Sequence, residues 1–179
     1  DTRFSDVVVE GRWTGAFSGE WRKPDVRASY RGTRVAFEIQ LSTTYINVIA
    51  QRREFYRREG GLLFWVFAHF DMGARRLTQE DVFYNNNRNA FVVTQATRDE
   101  SLRQRRFLLE CIWAEPTLGG GVSELRRELV PFDALTLDAD TQRAYHFDFD
   151  RERNRLAREV RERKVARQKP FRDKFECWY

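Results

Sequence analysis

Lys23-Pro-Asp-Val-Arg-Ala-Ser-Tyr-Arg-Gly-Thr-Arg-Val-Ala-Phe-Glu-Ile-Gln-Leu41 decides how the chain is read. Val26 to Tyr30 and Arg34 to Leu41 read as two strands, and Arg31-Gly32 between them reads as a two-residue hairpin turn, with glycine supplying the positive φ. Tyr30 then faces Thr33, and Asp25 falls opposite Glu38. The register can be checked against the side chains. Val26, Ala28 and Tyr30 share one face with Val35, Phe37, Ile39 and Leu41. Asp25, Arg27, Ser29, Arg34, Ala36, Glu38 and Gln40 take the other. The apolar halves match without adjustment.

Outward from the hairpin, the pattern is that of an α/β protein. Asp6 to Glu10 is a short strand ahead of it. Ser42-Thr43 reads as a helix N-cap, and the helix runs to about Glu59, stopped by Gly60-Gly61. Ile46, Ile49, Ala50 and Phe55 form its apolar stripe, and Arg52, Arg53, Arg57 and Arg58 crowd its second half. Leu62 to Phe67 is apolar on both sides, as a central strand requires. Ala90 to Thr94 and Phe107 to Ala114 are further strands, with a short helix at Asp99 to Arg105 between them. Pro116-Thr-Leu-Gly-Gly-Gly121 reads as a flexible connector. Beyond it lie a hairpin, Leu129 to Leu137 with Arg143 to Phe149, and a helix from Arg151 to Gln168 ended by Pro170. The division is a core over residues 1–115 and an extension over 116–179.

Composition limits the function classes. Of 179 residues 41% are hydrophobic, with fifteen Phe, six Tyr and five Trp, enough for a packed interior and against wholesale disorder. The longest apolar run, Leu62 to Phe67, is far short of the roughly 20 residues a bilayer crossing needs, and no basic-then-apolar leader opens the chain. A cytoplasmic protein that does not enter membranes is expected. Because the chain opens at Asp1 without Met, it reads as a trimmed or partial sequence. Two cysteines, Cys111 and Cys177, and two histidines, His69 and His146, lack the close spacing of a structural zinc site. The net charge of +5 is uneven: Arg151 to Lys174 carries eleven Lys/Arg against four Asp/Glu, a net of +7. That fits either a polyanionic partner or a solvated helix with Glu–Arg pairs such as Arg155–Glu159.

Two carboxylates opposite each other on a sheet lie roughly 5 Å apart at Cβ and repel. A hard divalent cation relieves that repulsion, and Mg²⁺ commonly takes one or two carboxylates plus phosphate and water. Neutralisation by Arg27 or Arg34 is the alternative. Gln40 points the same way as Glu38, where it could orient a water.

Pro24-Asp25, then Glu38-Ile39-Gln40, then a helix and an apolar strand resembles the PD-(D/E)XK nuclease superfamily. Lys-Pro-Asp-Val, Phe-Glu-Ile-Gln-Leu-Ser, Arg52 with Tyr56, and Leu-Phe-Trp-Val-Phe together resemble its CoiA-like competence-protein branch, over roughly Val7 to Phe67. The resemblance implies a restriction-endonuclease-like mixed sheet flanked by helices. It also implies hydrolysis of DNA with Mg²⁺ or Mn²⁺ held by Asp25, Glu38 and the Ile39 carbonyl. Gln40 stands where lysine is usual, in the Glu-x-Gln form of that branch. A further acid on a preceding helix would lie upstream of Asp1, with Glu10 and Glu20 as local substitutes or as plain surface acids. Arg52, Arg53 and Tyr56 are expected to contact nucleic acid, and Trp13, Trp21 and Tyr45 either stack on bases or pack. Two rivals remain: a nuclease fold that binds DNA without cutting, and a protein-interaction domain whose basic C-terminal helix docks on a partner.

Overall fold

In a computed structural model, which describes residues 1–17, 19–40, 46–74 and 77–176, the Arg31-Gly32 turn closes the hairpin as expected. Both residues adopt positive φ, 47° and 83°, the combination that matches the twist of the flanking strands. Ser42-Thr43, Leu41, Tyr45 and Cys177 lie outside the described residues.

The chain forms β1 (Phe4–Val9), β2 (Trp13–Thr14), β3 (Trp21–Arg22), β4 (Val26–Tyr30), β5 (Thr33–Gln40), α1 (Ile46–Arg58) and β6 (Gly61–Phe67). Next come α2 (Leu77–Asn85), β7 (Asn89–Val92), α3 (Gln95–Gln104), β8 (Leu108–Trp113) and β9 (Arg126–Pro131). Last are β10 (Thr136–Asp138), β11 (Arg143–Tyr145) and α4 (Phe149–Glu176). Seven strands make one sheet in the order β1-β4-β5-β6-β7-β8-β9. The pairs β5–β6 and β6–β7 are parallel and the rest antiparallel, so the sheet is mixed. Helices α1 and α2 make the two crossovers that parallel neighbours require.

Strand β5 explains how both faces are built. Its Val35 and Phe37 join Ala28, Tyr30, Leu62, Phe64 and Val66 in the larger core cluster. Ala36, between them, packs on the other face with Phe55 and Tyr56 of α1, Leu63 and Trp13. The β4–β5 register is the expected one, from Tyr30 opposite Thr33 to Val26 opposite Phe37. Ile39 departs from its expected apolar face: at 45% exposure it lies past the point where β4 ends and the core no longer covers β5. Gly61 begins β6 because a Cβ there would meet the Trp13 ring at 2.4 Å.

Several expectations shift. The short edge strand β1 starts two residues earlier than predicted and bulges between Ser5 and Val8, with Asp6 at φ 53°. Pro116 to Gly121 is a hydrogen-bonded loop, with Pro116 bridging Val122 and the Thr117 N–H donating to Gly121 O. The first arm of the predicted C-terminal hairpin splits. Arg126–Pro131 pairs with β8 in the large sheet, Phe132 turns into the core, and only Thr136–Asp138 pairs with Arg143–Tyr145. Pro131, with no N–H to offer, closes that strand. Accordingly, Arg126–Phe147 groups with Asp1–Trp113 as one compact unit, and Ala114–Leu125 groups with Asp148–Tyr179 as the second. Pro170 does not end the last helix, which continues to Glu176. A proline removes one helical hydrogen bond at a cost of ~3 kcal/mol, and here residues with good helical propensity flank it on both sides.

Candidate metal centre

Asp25 stands one residue before β4, at the point where the hairpin register, extended by one step, brings it opposite Glu38. Its carboxylate reaches across to β5, where Oδ2 accepts the Ile39 N–H at 2.6 Å. In an extended strand the N–H and C=O of one residue point to the same side. The Ile39 carbonyl therefore faces the Asp25 side, beyond the last residue of β4.

Glu38 continues the face that Ala36 turns to α1. It is 4% exposed. Burial pushes its carboxyl up to about 7, the Arg52 guanidinium opposes that shift, and the neighbouring Asp25 charge adds to it. Arg52 forms an ion pair with Oε2. Oε1 is buried without a hydrogen-bond partner. Buried polar atoms nearly always find partners, so this carboxylate oxygen, beside a second carboxylate, has acceptor capacity left over.

Helix α1 supplies the cover. Arg52 and Tyr56 lie one turn apart, hence on one face. Tyr56 is fully buried, in edge contact with Trp13 and Phe55. Burial, with Glu38 next, raises the pKa of its phenol, and its hydroxyl too has no partner. The expected contact of Tyr56 with nucleic acid is thus replaced by a place in the floor of the site. Arg52 serves Glu38. Arg53 donates to the Thr141 carbonyl at 2.7 Å and is half-buried, tying α1 to the β10–β11 turn. Gln40, half-buried, ends β5 two residues past Glu38 on the same face.

The other expected acids do not converge. Glu10 pairs with Lys23 at 2.7 Å, and Glu20 with Arg58 at 3.1 Å, both at the surface. Arg27 and Arg34 do not neutralise Glu38; Arg34 lies over the Trp13 ring and donates to the Glu59 carbonyl. Trp13 is buried, while Trp21 is half exposed with the Arg12 guanidinium 4.5 Å from its ring centroid. Among the described residues no group of three or more His, Cys, Asp and Glu gathers to hold an ion. What the site offers is two carboxylates and a backbone carbonyl. That all-oxygen set fits a hard cation that completes its shell with water and phosphate, and does not fit zinc.

Fold and site together define an α/β protein with a carboxylate pair at the open end of a hairpin in a mixed sheet. The chain belongs to the DUF6035 family, a domain of unknown function whose family model matches residues 11–150. No curated protein and no solved structure matches it.

Proposed function

We propose that this chain is a metal-dependent nuclease that hydrolyses DNA phosphodiester bonds. The observation that carries the reading is Glu38: a buried carboxyl, with one oxygen left without a partner, opposite Asp25 in the register the sequence specifies. The antiparallel β4–β5 hairpin, the α1 crossover and the parallel β6 support the restriction-endonuclease-like architecture implied by the sequence resemblance.

In this reading Asp25, Glu38 and the Ile39 carbonyl hold Mg²⁺ or Mn²⁺. Bound there, such an ion supplies an acidified water and offsets charge on the scissile phosphate. Asp25 is held beside β5 by the Ile39 N–H, which takes one of its two carboxylate oxygens. Arg52 offsets part of the burial that favours protonation of Glu38, so that the carboxyl ionises near neutral pH. Gln40 orients the water through its amide and adds no positive charge.

One observation favours a second reading, a nuclease fold that grips DNA without cutting. Arg52 already takes one Glu38 oxygen, and Gln40 cannot supply the charge that lysine gives to a transition state. Cleavage of single- and double-stranded DNA with Mg²⁺ and Mn²⁺ separates the two. The nuclease reading expects turnover in the wild type and a loss of at least a hundredfold in Asp25→Ala. Equal rates in both proteins remove the site, and DNA binding without turnover selects the second reading.

A further inference from the structure

Helix α4 shows no buried side chain over its central stretch. From Arg151 to Arg167 every side chain is exposed or half-exposed, and Val160 and Val165 stand in solvent at 44% and 65% exposure. Its charges are sorted. The three acids in this stretch, Glu152, Glu159 and Glu162, fall within about 80° of arc at 100° per residue. Arg155 and Arg163 share that side and pair with two of them: Arg155 with Glu152 at 2.7 Å and Glu159 at 3.4 Å, and Arg163 with Glu159.

The remaining arc holds Arg151, Arg153, Arg158, Arg161, Lys164 and Arg167, all exposed; Arg153 pairs with Asp150 at 3.0 Å, and the other five form no ion pair with a described residue. Arg158, Arg161, Lys164 and Arg167 follow one another at i,i+3 spacing, each step turning by about 60°, so the stripe winds through about 180° around the helix. Residues three apart are neighbours on a helix surface, so these like charges repel. Between Arg151 and Arg167 the acids and their arginine partners thus share one side of α4, and the rest carries a run of cations whose mutual repulsion a polyanion would relieve.

We propose that this cationic stripe docks along the phosphate backbone of nucleic acid. The choice of nucleic acid among polyanions rests on the nuclease reading above. The stripe from Arg151 to Arg167 spans ~24 Å at 1.5 Å per residue, and duplex DNA presents one charge per ~1.7 Å of axis, so several phosphates lie within its reach. Arginine side chains give no base readout through phosphate contacts, so the binding is sequence-independent.

The test measures DNA affinity without metal, as a function of salt, for wild type, for Arg158→Gln/Arg161→Gln/Lys164→Gln/Arg167→Gln, and for Arg155→Gln/Arg163→Gln on the paired face. Far-ultraviolet circular dichroism checks that α4 survives; glutamine keeps a good helical propensity. The stripe variant is expected to bind at least tenfold more weakly at 150 mM salt, with the slope of log K against log salt reduced by about 3 to 4. The paired-face variant should lose less than a third of that slope. An unchanged slope in the stripe variant overturns the proposal, as does an equal loss per charge from both faces. Tighter capture of anionic vesicles or of polyglutamate than of DNA at equal charge also overturns it. Cleavage by the wild type is scored separately. A slope that depends on the stripe in a protein that never cuts refutes the nuclease reading alone; cutting with an unchanged slope refutes the stripe alone.

Discussion

Glu38 concentrates the energetics of the site. Burial, which disfavours the charged form, pushes its carboxyl up to about 7 in the folded chain from an ordinary value of 4.5. The sign follows directly. Below about 4.5 the group is protonated in both states and costs nothing; as pH rises through 7 the folded state must bury a charge that the unfolded state carries in water. Stability is therefore present at low pH and lost between about 4.5 and 7. Glu38→Gln, which removes the charge and keeps the shape, should raise the melting temperature at pH 8, with a gain on the order of 3 kcal/mol that vanishes toward pH 4. Thermal melts of both proteins across this range are the check, and parallel curves would mean that Glu38 is not buried as described. That Asp25 and Glu38 oppose each other was legible in the sequence, because Val35 and Phe37 against Ala28 and Val26 allow one register. That Arg52 neutralises Glu38 was not legible, because the rotation of a helix about its axis is set by packing. Tyr56 and Phe55 seat α1 on Ala36 and Leu63, and Arg52 follows from that.

At the scale of elements, strands with apolar alternation or unbroken apolar runs were readable, and the pieces held by polar contacts were not. Helix α2 carries its apolar Val82 and Phe83 side by side instead of at helical spacing, so no stripe announces it. The β10–β11 turn is fastened by one buried glutamine. Gln142 accepts the Leu63 N–H at 3.0 Å and donates to the Gly61 carbonyl at 2.6 Å and to the Ala139 carbonyl, which secures the turn to β6. Asn89 does the same for the stretch after β11, accepting the His146 and Phe147 N–H groups at 3.0 and 3.1 Å. Neither residue has a sequence signature, since an isolated Gln or Asn beside a turn is commonplace. Gln142→Ala should cost about 2–4 kcal/mol, because it leaves main-chain groups of Gly61 and Leu63 buried without partners. Urea titration of the variant measures this. A loss under 0.5 kcal/mol would show that water takes over those bonds.

Across the whole molecule, acid and base are placed apart in the sequence. The carboxylate pair belongs to the unit of Asp1–Trp113 with Arg126–Phe147, and the cationic stripe to the unit containing Asp148–Tyr179. The basic tail was plain in the composition; its sorting into a side that holds the acids and a cationic side needed the ion pairs of the folded helix. The division expected at residue 116 missed that β9 completes the edge of the sheet, because Arg126-Arg-Glu-Leu alternates too weakly to announce a strand. No helix among the described residues is long and apolar enough to cross a membrane. Whether Asp25 and Glu38 hold a divalent cation is tested most directly by calorimetric titration with Mn²⁺. One site is predicted in the wild type and none in Asp25→Ala or Glu38→Gln. Its affinity should rise about tenfold per pH unit up to 7, as the proton on Glu38 is displaced, and level off above. Absence of binding in the wild type, or equal binding in all three proteins, would contradict it.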